Sequence, residues 1–391
     1  MLNSPFAPWP SFTNEEADAV RSVILSNKVN YWTGTECREF EKEFAAFANT
    51  EYAIALANGT VALDLALKAL KIGAGDEVIV TSRTFLASVS SIVNAGAIPV
   101  FADVDCDSQN ITADTIRQVL SPRTKAIICV HLAGWPCDMD PIMSLAESHD
   151  LKVIEDCAQA HGALYKGRPV GSIGHVGAWS FCQDKIMTTG GEGGMVTTND
   201  RSLWADMWAY KDHGKSWEAV YQREHAPGFR WLHESFGTNW RMLEVQAVIG
   251  RIQLRKMIEW QSVREANARR IWDCARSLPA LRVPALPPED RHAAYKCYVF
   301  VRPELLKAQW SRDRILAEIS SRGVPAFSGS CSEVYLEKAF DDTGWRPDSR
   351  LVNAQILGET SLMFLVHPTL TEEQIDLTCR VLVEVLSEAT A

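Results

Sequence analysis

Residues 153–162 read VIEDCAQAHG, an apolar run that ends in two adjacent acids. Such a run predicts a buried strand of a parallel sheet, because strands covered on both faces lack alternating polar residues. In open parallel sheets, ligands bind at the carboxyl ends of the strands. We therefore expect one of the two acids, Glu155 or Asp156, to face a ligand, with a helix cap as an equal alternative at this position.

Similar apolar runs recur along the first half of the chain and alternate with helical patterns. We predict strands over 51–57, 77–80, 98–101, 125–130, 151–155, 177–181 and 194–198. We predict helices between them over 58–70, 86–95 and 139–149. Strands that alternate with crossover helices are typical of an α/β fold with a mostly parallel central sheet.

The second half of the chain has a different pattern. Residues 241–278 are rich in helix formers and contain few breakers, which predicts one or two long helices. The proline-rich stretch 279–288 predicts a linker or turn. The remaining strands and helices, enough for a smaller α/β unit, are predicted over 295–301, 361–365, 311–322 and 371–388.

The length of 391 residues suggests two domains, because a typical domain has roughly 150 residues. We predict a large domain over 14–250 and a small carboxyl-terminal domain over 251–391, against which segment 1–13 is expected to pack. Hydrophobic residues make up 47% and charged residues 23% of the chain, which excludes wholesale disorder.

The charge and the cysteines exclude several classes of protein. A formal charge of −10 disfavours non-specific binding to nucleic acid, which needs a basic surface. No apolar run approaches the roughly 18–20 residues of a membrane span, and the first residues do not resemble a secretion signal. The ten cysteines include no CxxC pair, so we expect no zinc site. We interpret them as reduced thiols of a cytoplasmic protein, with a disulfide-bonded secreted form as the alternative.

Three more strand ends carry candidate residues. Asn58-Gly59-Thr60 leads a strand into a helix, whose free N–H groups suit a phosphate; an ordinary N-cap with a turn glycine is the alternative. Phe85 follows another strand and is suited to stacking on a planar ring, although an aromatic at such a position is more often core. Lys185 lies between a strand end and a glycine-rich run, where desolvation would make its amine nucleophilic.

Together these strand ends supply a phosphate site, a flat partner, an acid and a lysine. Pyridoxal phosphate requires this set, because its phosphate, ring, ring nitrogen and aldehyde each need one of them. No single feature is specific, since a lone lysine is usually a surface residue. Their combination at neighbouring strand ends predicts a pyridoxal phosphate site.

On these residues and several others, the chain resembles the sugar aminotransferases of the fold type I pyridoxal phosphate enzymes (the DegT/DnrJ/StrS group). The resemblance runs almost end to end. The matching stretches are 31–34 (YWTG), 58–60 (NGT), 84–85 (TF), 130–139 (VHLAGWPCDM), 155–162 (EDCAQAHG), 180–185 (SFCQDK), 237–242 (GTNWRM) and 367–368 (HP).

The resemblance implies a role for each matching residue. Lys185 would bind the cofactor aldehyde and move a proton, and Asp156 would pair with the ring nitrogen. Gln159 would lie by the ring face or its phenolic oxygen, and Phe85 would stack on the ring. The cofactor phosphate would be bound by Ser180 together with Gly59 and Thr60, and across a dimer interface by Asn239.

The resemblance also implies the reaction and its partners. An amino group, most often that of L-glutamate, would pass to a nucleotide-linked keto sugar such as a 4-keto-6-deoxyhexose in a homodimeric enzyme without a metal. The product would serve O-antigen, capsule or antibiotic sugars. Candidates for binding the anionic nucleotide are Arg230, Arg241, Lys211, Lys215 and Lys296.

Two alternatives stay open at this point. The acceptor could be a cyclitol ketone, or the protein could bind the cofactor as a regulator without turnover. Relatives that act as dehydratases carry histidine in place of the lysine, so the presence of Lys185 argues against that activity. This chain also has an extra glycine after the lysine, at 190–191, and an unusual stretch at 327–333.

Overall fold

The computed structural model describes residues 6–224, 228 and 230–390. The strands are β1 (Tyr52–Leu56), β2 (Glu77–Thr81), β3 (Ile98–Ala102), β4 (Thr124–Val130), β5 (Lys152–Asp156), β6 (Leu164–Tyr165), β7 (Arg168–Pro169), β8 (Val176–Ser180), β9 (Gly194–Thr198), β10 (Leu281–Arg282), β11 (Cys297–Val301), β12 (Ala326–Phe327) and β13 (Ser361–Phe364).

The α-helices cover most of the chain between these strands. They are α1 (Asn14–Leu25), α2 (Glu36–Ala48), α3 (Gly59–Ala69), α4 (Ala87–Asn94), α5 (Ala113–Arg117), α6 (Met139–Ser148), α7 (Arg201–Lys211), α8 (Trp217–Tyr221), α9 (Glu244–Arg276), α10 (Arg312–Ser321), α11 (Val352–Thr360) and α12 (Glu372–Ala389). In the described part of the chain, none of them is long and apolar enough to cross a membrane.

The large sheet has the strand order β1-β9-β8-β5-β4-β2-β3. Strands β8, β5, β4, β2 and β3 pair in parallel, while β9 runs opposite to both of its neighbours, β1 and β8. The buried strands β2 and β4 are each connected to the next parallel strand through a helix, as the sequence pattern predicts. The predicted α/β fold class with a mostly parallel sheet is confirmed.

A second sheet follows in the order β10-β11-β13-β12, with antiparallel pairs throughout. Its core is a separate cluster that includes Ile271 of α9 and Leu382 of α12, whereas Met257 of α9 belongs to the core of the large sheet. The single helix α9 therefore joins the two cores. The expected boundary at residue 250 falls inside α9, and the division into domains stays a prediction.

One predicted loop contains a short strand that was not predicted. Residues 279–288 contain β10, whose Leu281 is buried and pairs with Val301 of β11. The four prolines of this stretch lie on either side of the two paired residues, so the backbone N–H groups needed for pairing are present.

The amino-terminal segment lies on the second core. Phe6 belongs to that core cluster, and Thr369 donates a hydrogen bond to the carbonyl of Pro8 at 2.8 Å. Trp9 stacks on His367 with ring centroids 5.9 Å apart. Residues 1–5 of the expected segment 1–13 lie outside the described residues.

Helices α2 and α9 pack closely because α9 carries Gly250 at their contact. A methyl group at this position would lie 2.6 Å from Cζ of Phe40 and 2.9 Å from Cγ2 of Thr189. Both distances are shorter than carbon atoms tolerate, and Phe40 is fully buried. The glycine is therefore required by the packing of α9 on α2.

Replacing Gly250 with alanine should lower the free energy of unfolding by about 1–3 kcal/mol. The clash with Phe40 should outweigh the gain in helix propensity of about 1 kcal/mol. Urea denaturation of the purified protein measures the change. The matched control is Gly73→Ala, where the nearest atom to the new methyl lies 3.7 Å away. A Gly250→Ala protein as stable as the wild type would contradict this account of the contact.

Candidate functional site

A cavity of about 570 Å³ opens at the carboxyl ends of the strands of the large sheet. The side chains of β5 and β8 reach it at their last residues, and the loops after β1 and β2 complete it. The candidate residues that line it are Gly59, Thr60, Phe85, Asp156, Gln159, Ser180 and Lys185. The structure thus brings together the candidates from every predicted strand end around one cavity.

One end of the cavity is formed by the start of α3. The Asn58 side chain accepts a hydrogen bond from the N–H of Val61 at 3.0 Å, so it is the N-cap of the helix. A methyl group on Gly59 would lie 2.5 Å from Cβ of Ser180. Glycine is therefore needed for α3 to approach the end of β8, and the N–H groups of its first turn remain beside the cavity.

Asp156 is buried at the last position of β5. Its carboxylate accepts hydrogen bonds from Ser88 Oγ at 2.7 Å and from the N–H of Ala158 at 3.1 Å. Burial raises the pKa of Asp156, and these hydrogen bonds and the positive charge of Lys185 offset only part of that effect. Within residues 6–224, 228 and 230–390 the carboxylate has no cationic side chain in direct contact.

Glu155, the other acid of this strand, has a structural environment that sequence reasoning did not find. Its carboxylate accepts from the N–H groups of Gly171, Ile173 and Gly174 at 2.6–2.9 Å, and lies 3.0 Å from Nε2 of His131. Nδ1 of His131 accepts from the N–H of Cys137, so Nε2 carries the proton that faces Glu155. Burial opposes ionisation of Glu155, but these donors hold its pKa below the ordinary value.

Lys185 lines the cavity from the loop after β8. Its side chain is 15% exposed, and Nζ lies 3.8 Å from Asp184 Oδ1. Asp184 also accepts a short hydrogen bond from the hydroxyl of Tyr295. Burial opposes its ionisation, yet the positive charge of Lys185 and the Tyr295 hydroxyl hold the pKa of Asp184 below the ordinary value.

The backbone of this lysine is held from the amino-terminal segment. Nε1 of Trp9 donates to the carbonyl oxygen of Lys185 at 2.8 Å, although 176 positions separate the two residues. The next turn of the loop is held by α9, whose Gln253 accepts from the N–H of Thr188 at 2.8 Å. The loop that carries the amine is therefore fixed at both ends of its first turn.

Two further candidates occupy different parts of the cavity wall. Phe85 is 70% exposed, so its ring is available to the cavity and is not core. Gln159 is buried, and its Oε1 accepts from the N–H of Ala133 at 2.9 Å. This hydrogen bond fixes the side chain of Gln159 beside the end of β5.

Asn239 does not line this cavity. Its backbone pairs with that of Asp212, a buried carboxylate that accepts from Arg241 Nη1 at 2.5 Å and from Lys215 Nζ at 3.4 Å. Lys211, also buried, has Nζ at 3.9 Å from Asp212 Oδ2. Three of the five basic candidates thus surround Asp212.

The other two basic candidates lie elsewhere. Arg230 is exposed, and Nζ of Lys296 lies 4.7 Å from the ring centroid of Tyr295. Lys296 therefore lies over the same tyrosine ring as Lys185.

Replacing Glu155 with glutamine should lower the free energy of unfolding at pH 7 by about 2–4 kcal/mol, because the new amide leaves buried donors without an acceptor. A carboxylate whose pKa is lowered by folding stabilises the folded protein. This stabilisation is complete above the ordinary pKa of roughly 4.5 and is lost as the pH falls through the pKa of the folded state. The variant should therefore lose less stability than the wild type between pH 5 and roughly pH 3. Urea titrations at several pH values measure this, and the exposed Glu147→Gln is the control. Equal stability of wild type and Glu155→Gln at pH 7 would refute it.

Known proteins resemble this chain over almost its whole length. The DegT/DnrJ/EryC1/StrS aminotransferase family matches residues 10–383. GDP-perosamine synthase of Caulobacter vibrioides is 38% identical over 376 residues, which cover 94% of this chain and 95% of that protein.

Solved structures agree in fold. An aminotransferase from Psychrobacter cryohalolentis is 65% identical, with a TM-score of 0.97 over 98% of this chain and all of the other. DesV of S. venezuelae, solved with a ketimine intermediate, is 31% identical with a TM-score of 0.85 and covers 95% of this chain and 94% of its own. The predicted family, enzyme class and cofactor are confirmed. This chain belongs to the DegT/DnrJ/EryC1/StrS aminotransferase family and is a pyridoxal-phosphate-dependent aminotransferase of fold type I.

Proposed function

We propose that this enzyme transfers the amino group of L-glutamate to the keto group of a nucleotide-linked deoxy sugar, a 4-keto-6-deoxyhexose. The observation that carries the proposal is the cavity between Lys185 and the buried Asp156. The names of its relatives support the substrate class, since they include GDP-perosamine synthase and dTDP-3-amino-3,6-dideoxy-alpha-D-galactopyranose transaminase.

The residues of the cavity fit pyridoxal phosphate. When bound, this cofactor supplies an aldehyde that takes up an amino group and a ring that withdraws electrons from the neighbouring bonds. A buried carboxylate without a cationic partner is costly, so Asp156 suits a protonated ring nitrogen. Asp156 would keep that proton in place, because its negative charge stabilises the cationic form.

The opposite end of the cavity suits the phosphate. The N–H groups at the start of α3 carry the positive end of the helix dipole, and the hydroxyls of Thr60 and Ser180 lie beside them. Gly59 permits this close approach of helix and strand. We assign Gly59, Thr60 and Ser180 to the phosphate.

Lys185 is assigned as the nucleophile and proton carrier. Its Nζ would hold the cofactor through the aldehyde, would give up that position to the amine of the donor, and would then carry a proton to or from the substrate carbon. Asp184, 3.8 Å away, is placed to stabilise the ammonium form of this amine. Phe85 is assigned to one ring face, and Gln159 to the ring or its phenolic oxygen.

We also propose that the active unit is a homodimer. Asn239 does not line the cavity of its own chain, so a cofactor contact by this residue requires a neighbouring subunit. The buried ions around Asp212 hold the backbone beside Asn239 in place. Service in O-antigen, capsule or antibiotic sugar formation, and a cytoplasmic location, stay predictions.

Purified enzyme loaded with cofactor should form 2-oxoglutarate from L-glutamate and aminate at least one keto sugar in a panel of dTDP-, UDP- and GDP-linked sugars. Lys185→Ala should slow product formation by about a thousandfold or more, since nucleophile and proton carrier are lost together. The control is Lys125→Ala, an exposed lysine at the opposite end of the sheet.

Two outcomes would contradict this proposal. Full turnover by Lys185→Ala would place the nucleophile elsewhere. Stable binding of the cofactor without any 2-oxoglutarate would favour a regulatory protein, and turnover with cyclitol ketones alone would move the substrate to that class.

Mixing two inactive variants tests the role of Asn239. If this residue serves the neighbouring site, a dimer of Lys185→Ala with Asn239→Ala subunits contains one intact site. The mixture should regain up to about one quarter of wild-type activity after subunit exchange, because half of the dimers are mixed and each has one intact site. Sedimentation velocity checks that dimers form. No regained activity despite subunit exchange would show that Asn239 acts within its own chain or not at all.

A further inference from the structure

Lys185 also belongs to a group of cations around Tyr295, whose other members are not assigned to the cofactor. Nζ of Lys185 lies 5.3 Å and Nζ of Lys296 4.7 Å from the centroid of the Tyr295 ring. Lys296 immediately precedes β11 of the second sheet, whereas Lys185 follows β8 of the large sheet. The two amines therefore approach one aromatic ring from different parts of the fold.

Arg264 of α9 is the third cation and is 1% exposed. Its Nη1 donates weakly to the carbonyl of Ala294 at 3.4 Å, but Nε and Nη2 meet no acceptor in the part of the chain that the structure describes. The guanidinium lies 4.9 Å from the ring centroid of Trp9, whose Nε1 is bonded to Lys185. A buried guanidinium with two unpaired donor groups is costly unless an anion binds it.

The charges in this region do not balance. Burial lowers the pKa of Lys296 to about 8, which the charge of Asp184 opposes and the charges of Arg264 and Lys185 reinforce. Burial also lowers the pKa of Arg264 to about 9. Lys185 and Lys296 thus share Asp184, whose carboxylate is already bonded to Tyr295. Arg264 has no ion pair with a carboxylate of the described residues.

His367, the remaining titratable neighbour of these cations, is neutral. Burial, with the charges of Arg264 and Lys296, lowers the pKa of His367 to about 3, so its imidazole is uncharged near pH 7. Nδ1 of His367 is bonded to Thr369. This side chain therefore neither neutralises the cations nor adds to them.

We propose that Lys296 and Arg264 form a subsite that binds a carboxylate group of the amino donor next to Lys185. This inference rests on the proposed function, since it names the binding site for the donor of that reaction. A donor amino acid must bring its amine to Lys185 while its carboxylates remain ionised. Lys296 shares the Tyr295 ring with Lys185, and Arg264 contacts the Trp9 that is bonded to the backbone of Lys185. These cations would therefore orient the donor through charge-assisted hydrogen bonds.

The enclosure of the subsite favours a carboxylate over the diphosphate of a sugar nucleotide. Trp9 covers the guanidinium, and Trp260 meets Trp9 edge-on with centroids 5.1 Å apart. His367 stacks on Trp9. These rings keep water away from the cations, which strengthens their attraction to a compact anion.

Glutarate, a dicarboxylate without an amine, is the probe for this subsite because it cannot react. Isothermal titration calorimetry of the cofactor-loaded enzyme should give binding in the millimolar range or tighter. Lys296→Met keeps the length of the side chain and removes its charge, and should weaken glutarate binding by about tenfold or more. Lys296→Arg should bind within about threefold of the wild type.

Controls separate charge recognition from altered folding. Lys125→Met makes the same change far from the cavity and should bind glutarate like the wild type. Glutaramide, the neutral analogue, should not bind the unmodified enzyme measurably, and this measurement needs no variant. Equal binding of glutarate and glutaramide, no glutarate binding to the wild type, or unchanged binding by a folded Lys296→Met would each overturn the subsite.

Titrations with UDP and GDP test whether Lys296 binds the diphosphate of the nucleotide instead of a carboxylate. Their affinity should be the same for wild type and Lys296→Met; a selective loss of nucleotide binding with intact glutarate binding would assign Lys296 to the nucleotide and overturn the proposal. Because these titrations need no turnover, charge-dependent glutarate binding in an enzyme that aminates no keto sugar would preserve the subsite and refute only the proposed acceptor.

Discussion

The site depends on two adjacent carboxylates at the end of β5, of which one is bonded within the fold and the other lines the cavity. Neighbouring side chains of a strand point to opposite faces of a sheet, so Glu155 and Asp156 meet different surroundings. Glu155 is satisfied by His131 and by backbone N–H groups of residues 171–174. Asp156 lines the cavity, where burial raises its pKa. One acid thus anchors the strand end, and the other keeps a charge that a ligand can balance.

Local signals explain what could be predicted from the sequence. An apolar run followed by glycine or a polar residue identifies a strand end, which is why Gly59, Asp156 and Lys185 were expected at one edge of the sheet. The pairing of Glu155 with His131 and the approach of Lys296 to Lys185 were not predicted, because each joins distant parts of the chain. Strand β10 was not predicted because its two residues lie between prolines, which indicate a loop. They form a strand only because they pair with the distant strand β11.

Helix α9 relates the two halves of the molecule to the cavity. Its first half contacts the loop of Lys185 through Gln253, and its second half carries Arg264 and joins the second core. Gln261 lies between them and donates to the carbonyl of Gly162 at 2.6 Å, just beyond the strand that carries Asp156. A continuous helix therefore holds groups from both sheets at fixed separations around one site, which short loops would not do.

The bond from Trp9 to Lys185 has a practical consequence for anyone who purifies this protein. An affinity tag or fusion partner joined shortly before Phe6 would lie near an indole that holds the backbone of the loop carrying the reactive amine. Bulk or charge at that end would compete with the seating of Phe6 and Pro8 on the second core. Tags that are cleaved completely are the safer choice.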